Sequence, residues 1–197
     1  MSAAKKDIHL TAVAGGIGSG KSVVCNILRA LGYDVYDCDL RARTIMDNDS
    51  GLKDRLACEF GAHVLHDNGA INRPVLSEIV FGDSARMAVL NSMVHGAVRE
   101  DIRSWCLRED ARRLFVETAI LYQSGLDRMV TDIWEVTAPE ETRIARVMRR
   151  NNLTADQVRA RIESQRPFIP ATHPPTYVIV NDGCTPLLPQ ILSLLQT

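Results

Sequence analysis

The residues with the clearest chemical potential form one short stretch, GGIGSGKS at residues 15–22. Its spacing is Gly15-x-x-x-x-Gly20-Lys21-Ser22, between an apolar run and a predicted helix. Glycines allow consecutive backbone N–H groups to face an anion, and the N-terminus of the following helix adds positive potential. The lysine ammonium reaches the β- and γ-phosphates, and the serine hydroxyl is a ligand for Mg²⁺. The stretch therefore predicts a loop that holds the phosphates of a nucleoside triphosphate.

Acidic residues at the ends of two predicted strands are candidates for the rest of the chemistry. Asp37 and Asp39 end the run YDVYDCD, and Glu117 ends the run LFVE. Asp39 is a candidate to orient or deprotonate an acceptor hydroxyl, and Asp37 to support Mg²⁺ through water. Alternatively, one of these aspartates is the N-cap of the next helix. Glu117 either supports the metal from a neighbouring strand or is a partly exposed acid at a strand end.

Arginines repeat on one face of a later predicted helix. Arg143, Arg146 and Arg150 stand at i, i+3 and i+7. An arginine near the γ-phosphate neutralises charge during transfer, whereas the alternative is a solvated basic face paired with nearby glutamates. The phosphate loop favours a functional role for the cluster as a whole. Arg161 and Gln165 on the following helix leave the same two interpretations open.

Two missing motifs narrow the class of nucleotide-binding protein. Switch GTPases normally carry DxxG and a guanine-reading NKxD, and neither occurs in this sequence. ATPase machines usually need a longer chain than this one. A small kinase is therefore the favoured class. A kinase for another nucleoside or nucleotide, and an ATP-binding regulatory protein without transfer activity, remain the alternatives.

Composition excludes several other classes. The chain has 197 residues and a formal net charge of −1, which disfavours binding to nucleic acid through bulk charge. Its five cysteines are scattered and form no CxxC pair, so they predict reduced thiols rather than a zinc site. No apolar stretch predicts a signal peptide or a membrane span. We expect a cytoplasmic protein that is a monomer or a small homo-oligomer.

The elements that must position these residues alternate between strands and helices. The strands are continuous apolar runs, which is typical of a parallel sheet covered on both faces. We predict an α/β core over about residues 8–39, 112–138 and 176–197. The helical block at about 40–111 is too long for one crossover and predicts an inserted substrate domain, and the region 139–175 predicts a lid.

Four stretches of the chain share the pattern of one known family. They are GGIGSGKS, DCDLRAR, APEETRIARVMRRNNLTADQVRARIESQ and YVIVNDG, and they run from about Leu10 to Gly183. In these stretches the chain resembles the dephospho-coenzyme A kinases. The resemblance implies a P-loop kinase fold: a five-stranded parallel sheet flanked by helices, with a helical acceptor-binding insertion and a helical lid. It also implies transfer of the γ-phosphoryl group of ATP, with Mg²⁺, to the ribose 3′-hydroxyl of dephospho-coenzyme A, the last step of coenzyme A synthesis.

The same resemblance implies roles for individual residues. Asp39 would be the base, and Lys21 and Arg146 would stabilise charge on the transferred phosphoryl group. Asp39, Arg43 and Glu117 would lie near the acceptor. Ser22 would hold Mg²⁺, with Asp37 or Glu117 supporting it through water. The ATP-binding set would be Gly16, Gly18, Ser19, Gly20, Lys21, Ser22, Val23, Arg150 and Asn181, with Asn181 near the adenine.

Three positions depart from the family pattern. Ala14 replaces a threonine before the loop, and Gly96 follows His95 where the family often has proline. The segment ETAILYQS places Gln123 where the family usually has an acid. The substitution at Gln123 removes a charge from a segment that resembles the acceptor side of the family's site.

Overall fold

Five parallel strands form the central sheet in the computed structural model, which describes residues 8–109, 113–165 and 169–197. Their bounds within these ranges are β1 (His9–Ala14), β2 (Val35–Asp37), β3 (Arg113–Glu117), β4 (Asp132–Thr137) and β5 (Thr176–Val180). The strand order is β2-β3-β1-β4-β5, and every neighbouring pair is parallel. This arrangement confirms the predicted five-stranded parallel sheet.

The register of the strands places Asp37 and Glu117, two acids predicted for the site, at the same edge of the sheet. Glu117 pairs with Val13 on one side and with Asp37 on the other. Because carboxyl ends of parallel strands meet at one edge, both acids lie beside the loop that leaves β1. Ligands of open α/β sheets bind at this edge.

Helices follow the strands in the order that the sequence predicts. Within the described residues they are α1 (Lys21–Ala30), α2 (Cys38–Asn48), α3 (Ser50–Phe60), α4 (Arg73–Val80), α5 (Ser84–Arg108), α6 (Glu140–Asn151), α7 (Ala155–Ser164) and α8 (Leu187–Leu195), with single 3₁₀ turns at Ala62–Val64 and Leu126–Arg128. None of the helices in these ranges carries an apolar stretch long enough to cross a bilayer.

The chain divides into two compact units. Residues 8–37, 113–165 and 169–197 form the first unit, and Cys38–Glu109 form the second. The first unit holds the sheet, and its main core lies where α1 and α8 pack against one sheet face. The Phe115 ring contributes edge-on contacts to Trp134 and Tyr33, with centroid distances of 5.2 and 5.4 Å. Such aromatic pairs stabilise the core beyond their buried area.

Helices α6 and α7 form a hairpin with a small core of its own. Asn152 ends α6 in the left-handed conformation, and Thr154 begins α7 with a capping box. The Thr154 hydroxyl accepts from Gln157 N while the Gln157 side chain accepts from Thr154 N. The hairpin core consists of Ile144, Val147, Val158 and Ile162.

The second unit consists of helices and connecting loops, with one isolated antiparallel bridge between Leu65 and Ile71, and one local prediction for it is wrong. Strand β2 ends at Asp37, and α2 begins at Cys38, so Asp39 lies in the first turn of a helix rather than on a strand or in a turn. An acid in this position interacts favourably with the helix dipole. Helix α5 is capped by Asp83, whose carboxylate accepts from Arg86 N at 3.0 Å.

Candidate active site

The loop between β1 and α1 has the shape of a phosphate-binding loop. The Lys21 ammonium folds back along it and donates to the carbonyl oxygens of Gly15 at 2.6 Å and Gly16 at 3.4 Å. The Ser19 N–H donates to Gly16 O at 3.2 Å and closes a tight turn across the loop. Ser22 is exposed at the start of α1. The role predicted for this lysine is contact with the β- and γ-phosphates.

Residues from the carboxyl end of β5 and from α6 contact the second half of the loop. The buried Asn181 amide donates from Nδ2 to Ser19 O at 2.8 Å. Its Oδ1 accepts from Arg146 Nη2 at 3.3 Å, and Arg146 Nη1 lies 3.4 Å from the carbonyl oxygens of Gly18 and Ser19. Gly20 has φ +96°, and a Cβ there would overlap Asn181 Nδ2. Gly20, Arg146 and Asn181, which are predicted site residues distant in sequence, therefore lie together at the second half of the loop.

The first half of the loop is contacted by two side chains of the hairpin. Arg143 Nε donates to Ile17 O at 2.9 Å, and Gln165 Oε1 accepts from Ile17 N at 2.8 Å. Burial lowers the pKa of Arg143, although Glu140 and Glu135 oppose the shift. The sequence left both functional and solvated roles open for these residues. Their contacts at Ile17 favour a role at the loop.

A carboxylate cluster lies beside the loop at the ends of β2 and β3. Burial raises the pKa of Glu117, and the nearby Asp37 charge adds to the shift, whereas a hydrogen bond to Cys25 and the charges of Lys21 and Arg29 oppose it. Burial also raises the pKa of the Cys25 thiol, with Glu117 as the next cause. Cys25 is therefore a protonated partner of Glu117. Glu117 is close enough to Lys21 to interact with it electrostatically.

A cleft of about 230 Å³ opens next to the phosphate loop within the first unit. Glu135 lines it, and its pKa is raised by burial despite the charges of Lys21 and Arg143. The sequence gives no signal for Glu135, because this residue lies inside the strand run TDIWEVTA and belongs to no motif. Gln123, one of the departures from the family pattern, also lines this cleft.

The second unit carries the two predicted acceptor-side residues of α2. Asp39 and Arg43 are exposed and stand at i and i+4, so they occupy the same helix face. A separate groove of about 530 Å³ lies between α2, α3 and α5, and Gly96 lines it. The Arg41–Asp101 ion pair, at 2.7 Å, joins two of its walls.

Comparison of the chain with known proteins identifies the family to which it belongs. The family model described as dephospho-CoA kinase matches residues 9–186. The chain belongs to the dephospho-CoA kinase family. A dephospho-CoA kinase from Bacteroides fragilis is 35% identical over 184 residues, which cover 93% of this chain and 89% of that protein. One from Dehalococcoides mccartyi is 35% identical over 163 residues, 80% of this chain and 81% of that protein.

Solved structures agree with the family assignment at the level of fold. The Thermus thermophilus protein TT1252 is 30% identical, with a TM-score of 0.74 and coverage of 97% of this chain and 96% of that chain. Dephospho-CoA kinase from Campylobacter jejuni, at 21% identity, has a TM-score of 0.61 and coverage of 95% of both chains. The predicted P-loop kinase fold and the predicted family are therefore confirmed.

Three further residues of the ATP-binding set implied by the family resemblance are Val23, Arg150 and Ser19, and they differ in exposure and contacts. Val23 is exposed on the first turn of α1. Arg150 is exposed near the end of α6, and its Nε donates to the neighbouring Asn151 Oδ1 at 2.9 Å rather than to the loop. Ser19 is 1% exposed, and its hydroxyl has no hydrogen-bond partner among the described residues. The roles of these residues in binding ATP stay predictions.

The donors near the loop suit Mg²⁺ bound mainly through phosphate and water. In the described part of the chain, no group of three or more His, Cys, Asp or Glu side chains could hold a metal ion. The Ser22 hydroxyl and the Asp37 and Glu117 carboxylates are the oxygen groups predicted for it. Mg²⁺ usually retains waters and binds through one or two carboxylates plus substrate phosphates. The residues present fit such a site.

Proposed function

We propose that this protein transfers the γ-phosphoryl group of ATP to the ribose 3′-hydroxyl of dephospho-coenzyme A. Membership of the dephospho-CoA kinase family makes the chain a phosphotransferase of coenzyme A synthesis with a small-molecule substrate. The main observation that supports the proposed residue roles is that the side chains of Lys21, Arg146 and Asn181 all contact one glycine-rich loop. We also propose a cytoplasmic enzyme that acts as a monomer or a small homo-oligomer.

Charge stabilisation is assigned to the loop and to α6. The loop N–H groups and the start of α1 bind the phosphates, and Lys21 and Arg146 neutralise charge on the transferred group. Lys21 lies along the loop, where its ammonium donates to Gly15 O. Little covalent chemistry is required of the protein in such a transfer, and positioning with electrostatic stabilisation supplies most of the catalysis.

Asp39 is assigned as the base that accepts the proton of the acceptor hydroxyl. Arg43 stands one helical turn later on the same face, where a cation can attract the phosphates of the acceptor. Asp39 is exposed and therefore open to a bound acceptor. A carboxylate acting as base contributes typically ~10²-fold to ~10⁴-fold in rate.

The metal role is assigned to Ser22 with support from β2 and β3. Its hydroxyl would hold Mg²⁺, and Asp37 or Glu117 would contact the ion through water. When bound, Mg²⁺ would supply positive charge that offsets the charge developing on the transferred phosphoryl group. Glu117 is partly buried and already interacts with Cys25 and Lys21, which suits an outer position that reaches the ion through water.

The function is tested by ADP release with Mg-ATP and a panel of acceptors. Dephospho-coenzyme A should support turnover, while adenosine, AMP and shikimate should not. Turnover with another acceptor would keep the kinase class but reassign the ligand of the second unit. ATP binding without turnover for any acceptor would favour an ATP-binding regulatory protein and reject the proposal.

A further inference from the structure

Ile17 is the residue through which the α6–α7 hairpin holds the phosphate loop. Both of its backbone groups are used by side chains of the hairpin. Its N–H donates to Gln165 Oε1 at 2.8 Å, and its carbonyl accepts from Arg143 Nε at 2.9 Å. The two bonds come from different helices at the open end of the hairpin, because Arg143 lies in the first turn of α6 and Gln165 caps the end of α7.

The Ile17 side chain adds an apolar contact to these polar ones. It packs against the hairpin core, in which Val147 and Val158 are almost fully buried. The core of the hairpin therefore extends onto the phosphate loop. Partial burial of the Ile17 side chain against this core stabilises the contact.

The neighbouring backbone is closely packed against α6. Gly18 has φ +78°, and a Cβ there would lie 2.6 Å from Arg143 O and 3.0 Å from a Val147 methyl group. Ile17 and Gly18 are the two central residues of the turn closed by the Ser19 N–H and Gly16 O. Displacing Ile17 therefore reorients the peptide groups of this turn, which belong to the proposed anion-binding loop.

We infer that Arg143 and Gln165 are positioning residues that hold the phosphate loop through Ile17 and thereby set its affinity for a triphosphate. The inference rests on one part of the proposed function, namely that the loop binds nucleotide phosphates. It does not require transfer to dephospho-coenzyme A. Neither side chain needs to touch the nucleotide. The hairpin is then part of the scaffold of the phosphate loop and not only a cover over the site.

Binding of inorganic tripolyphosphate and of ATP tests this inference by calorimetry. Arg143→Met and Gln165→Met should each weaken both ligands by the same factor, about tenfold, because each variant removes one hydrogen bond that orders the loop. Arg149→Met is the matched control, since it removes an exposed arginine from the same helix. The control should retain wild-type affinity for both ligands.

Hydrogen–deuterium exchange of the Ile17 N–H, measured by NMR in the free protein, distinguishes loss of this hydrogen bond from a general loss of stability. It should accelerate at least tenfold in Gln165→Met but stay slow in Gln165→Glu, which keeps an acceptor oxygen. Gln165 lies at the end of its helix, so the Gln165 variants carry the test if Arg143→Met does not fold.

The outcomes distinguish the inference from the proposed function. Wild-type tripolyphosphate affinity in folded Arg143→Met and Gln165→Met would overturn the inference, and so would an equal loss in Arg149→Met, which would indicate a charge effect. Tripolyphosphate binding by the wild type without turnover of dephospho-coenzyme A would overturn only the proposed function. A wild-type protein that binds neither ligand would overturn both.

Discussion

Asn181 donates a 2.8 Å hydrogen bond from its buried amide to the carbonyl oxygen of Ser19. The two residues belong to opposite ends of the chain, one after β5 and the other before α1. The family resemblance implies a place near the adenine for Asn181, but both ends of its amide are engaged at the loop and at Arg146. This geometry gives Asn181 a second candidate role, in holding the loop that binds the phosphates.

Asn181→Ala separates these two roles. If Asn181 holds the loop, affinity for ATP and for tripolyphosphate should fall together, by about tenfold, because a buried carbonyl loses its donor. Isothermal titration calorimetry of both ligands measures this, with Asn26→Ala on the exposed face of α1 as control. A loss confined to ATP would instead assign Asn181 to the adenine.

Asp39→Asn tests the proposed base. The variant should bind ATP nearly as the wild type does and lose turnover by about 10²-fold or more, because an amide cannot accept the hydroxyl proton. Steady-state ADP release gives the turnover number and the Michaelis constant. Asp47→Asn is the control on the same helix, and near-normal turnover in Asp39→Asn would remove Asp39 from the mechanism.

A buried ion pair at the opposite edge of the sheet should matter for stability and not for catalysis. Arg113 Nη2 lies 3.1 Å from Asp132 Oδ2, Nη1 donates to Leu194 O at 3.2 Å, and the guanidinium lies 5.3 Å from the Trp134 ring centroid. Asp132 also lies 3.1 Å from His9 Nε2. These contacts join β1, β3, β4 and α8.

Arg113→Met should lower the free energy of unfolding by about 3 kcal/mol, because it leaves the Asp132 carboxylate buried without its guanidinium partner. Urea denaturation followed by circular dichroism measures the change. The exposed pair Arg103–Glu100 provides the comparison, since Arg103→Met should cost at most about 1 kcal/mol. Equal effects of the two variants would contradict a special role for the buried pair.

His95 should make the protein less stable in mild acid. Burial lowers the pKa of His95, and the Arg99 charge adds to the shift. The unfolded chain therefore takes up a proton at this residue near pH 6.5, where the folded chain does not. Because the unfolded state binds more protons, the free energy of unfolding falls as the pH drops below that value.

Urea denaturation at pH 7.5, 6.5 and 5.5 tests this, with His95→Gln as the comparison. The variant lacks the titrating group, so its free energy of unfolding should decline less between the first pH and the last. Parallel declines in the two proteins would show that His95 does not contribute.

The phosphate loop, the parallel sheet and the family were determined by the sequence alone, because their signals are local. Gly15 and Gly20 with Lys21 form a contiguous motif, and apolar runs identify the strands without knowledge of their neighbours. Local patterns of this kind can be recognised without the fold, because the residues that form them are only a few positions apart.

Only the tertiary structure decided how the loop is held. Asn181, Arg143 and Gln165 reach it from more than a hundred residues away, and nothing in their immediate sequence shows which backbone group each will contact. The sequence predicts Asp37 and Asp39 at a strand end or one of them as the next N-cap, whereas the chain turns helical at Cys38 and Asp39 lies in the first turn. These contacts depend on how helices and strands pack together. A long side chain can form a hydrogen bond to a distant segment only when packing has brought the two groups within reach.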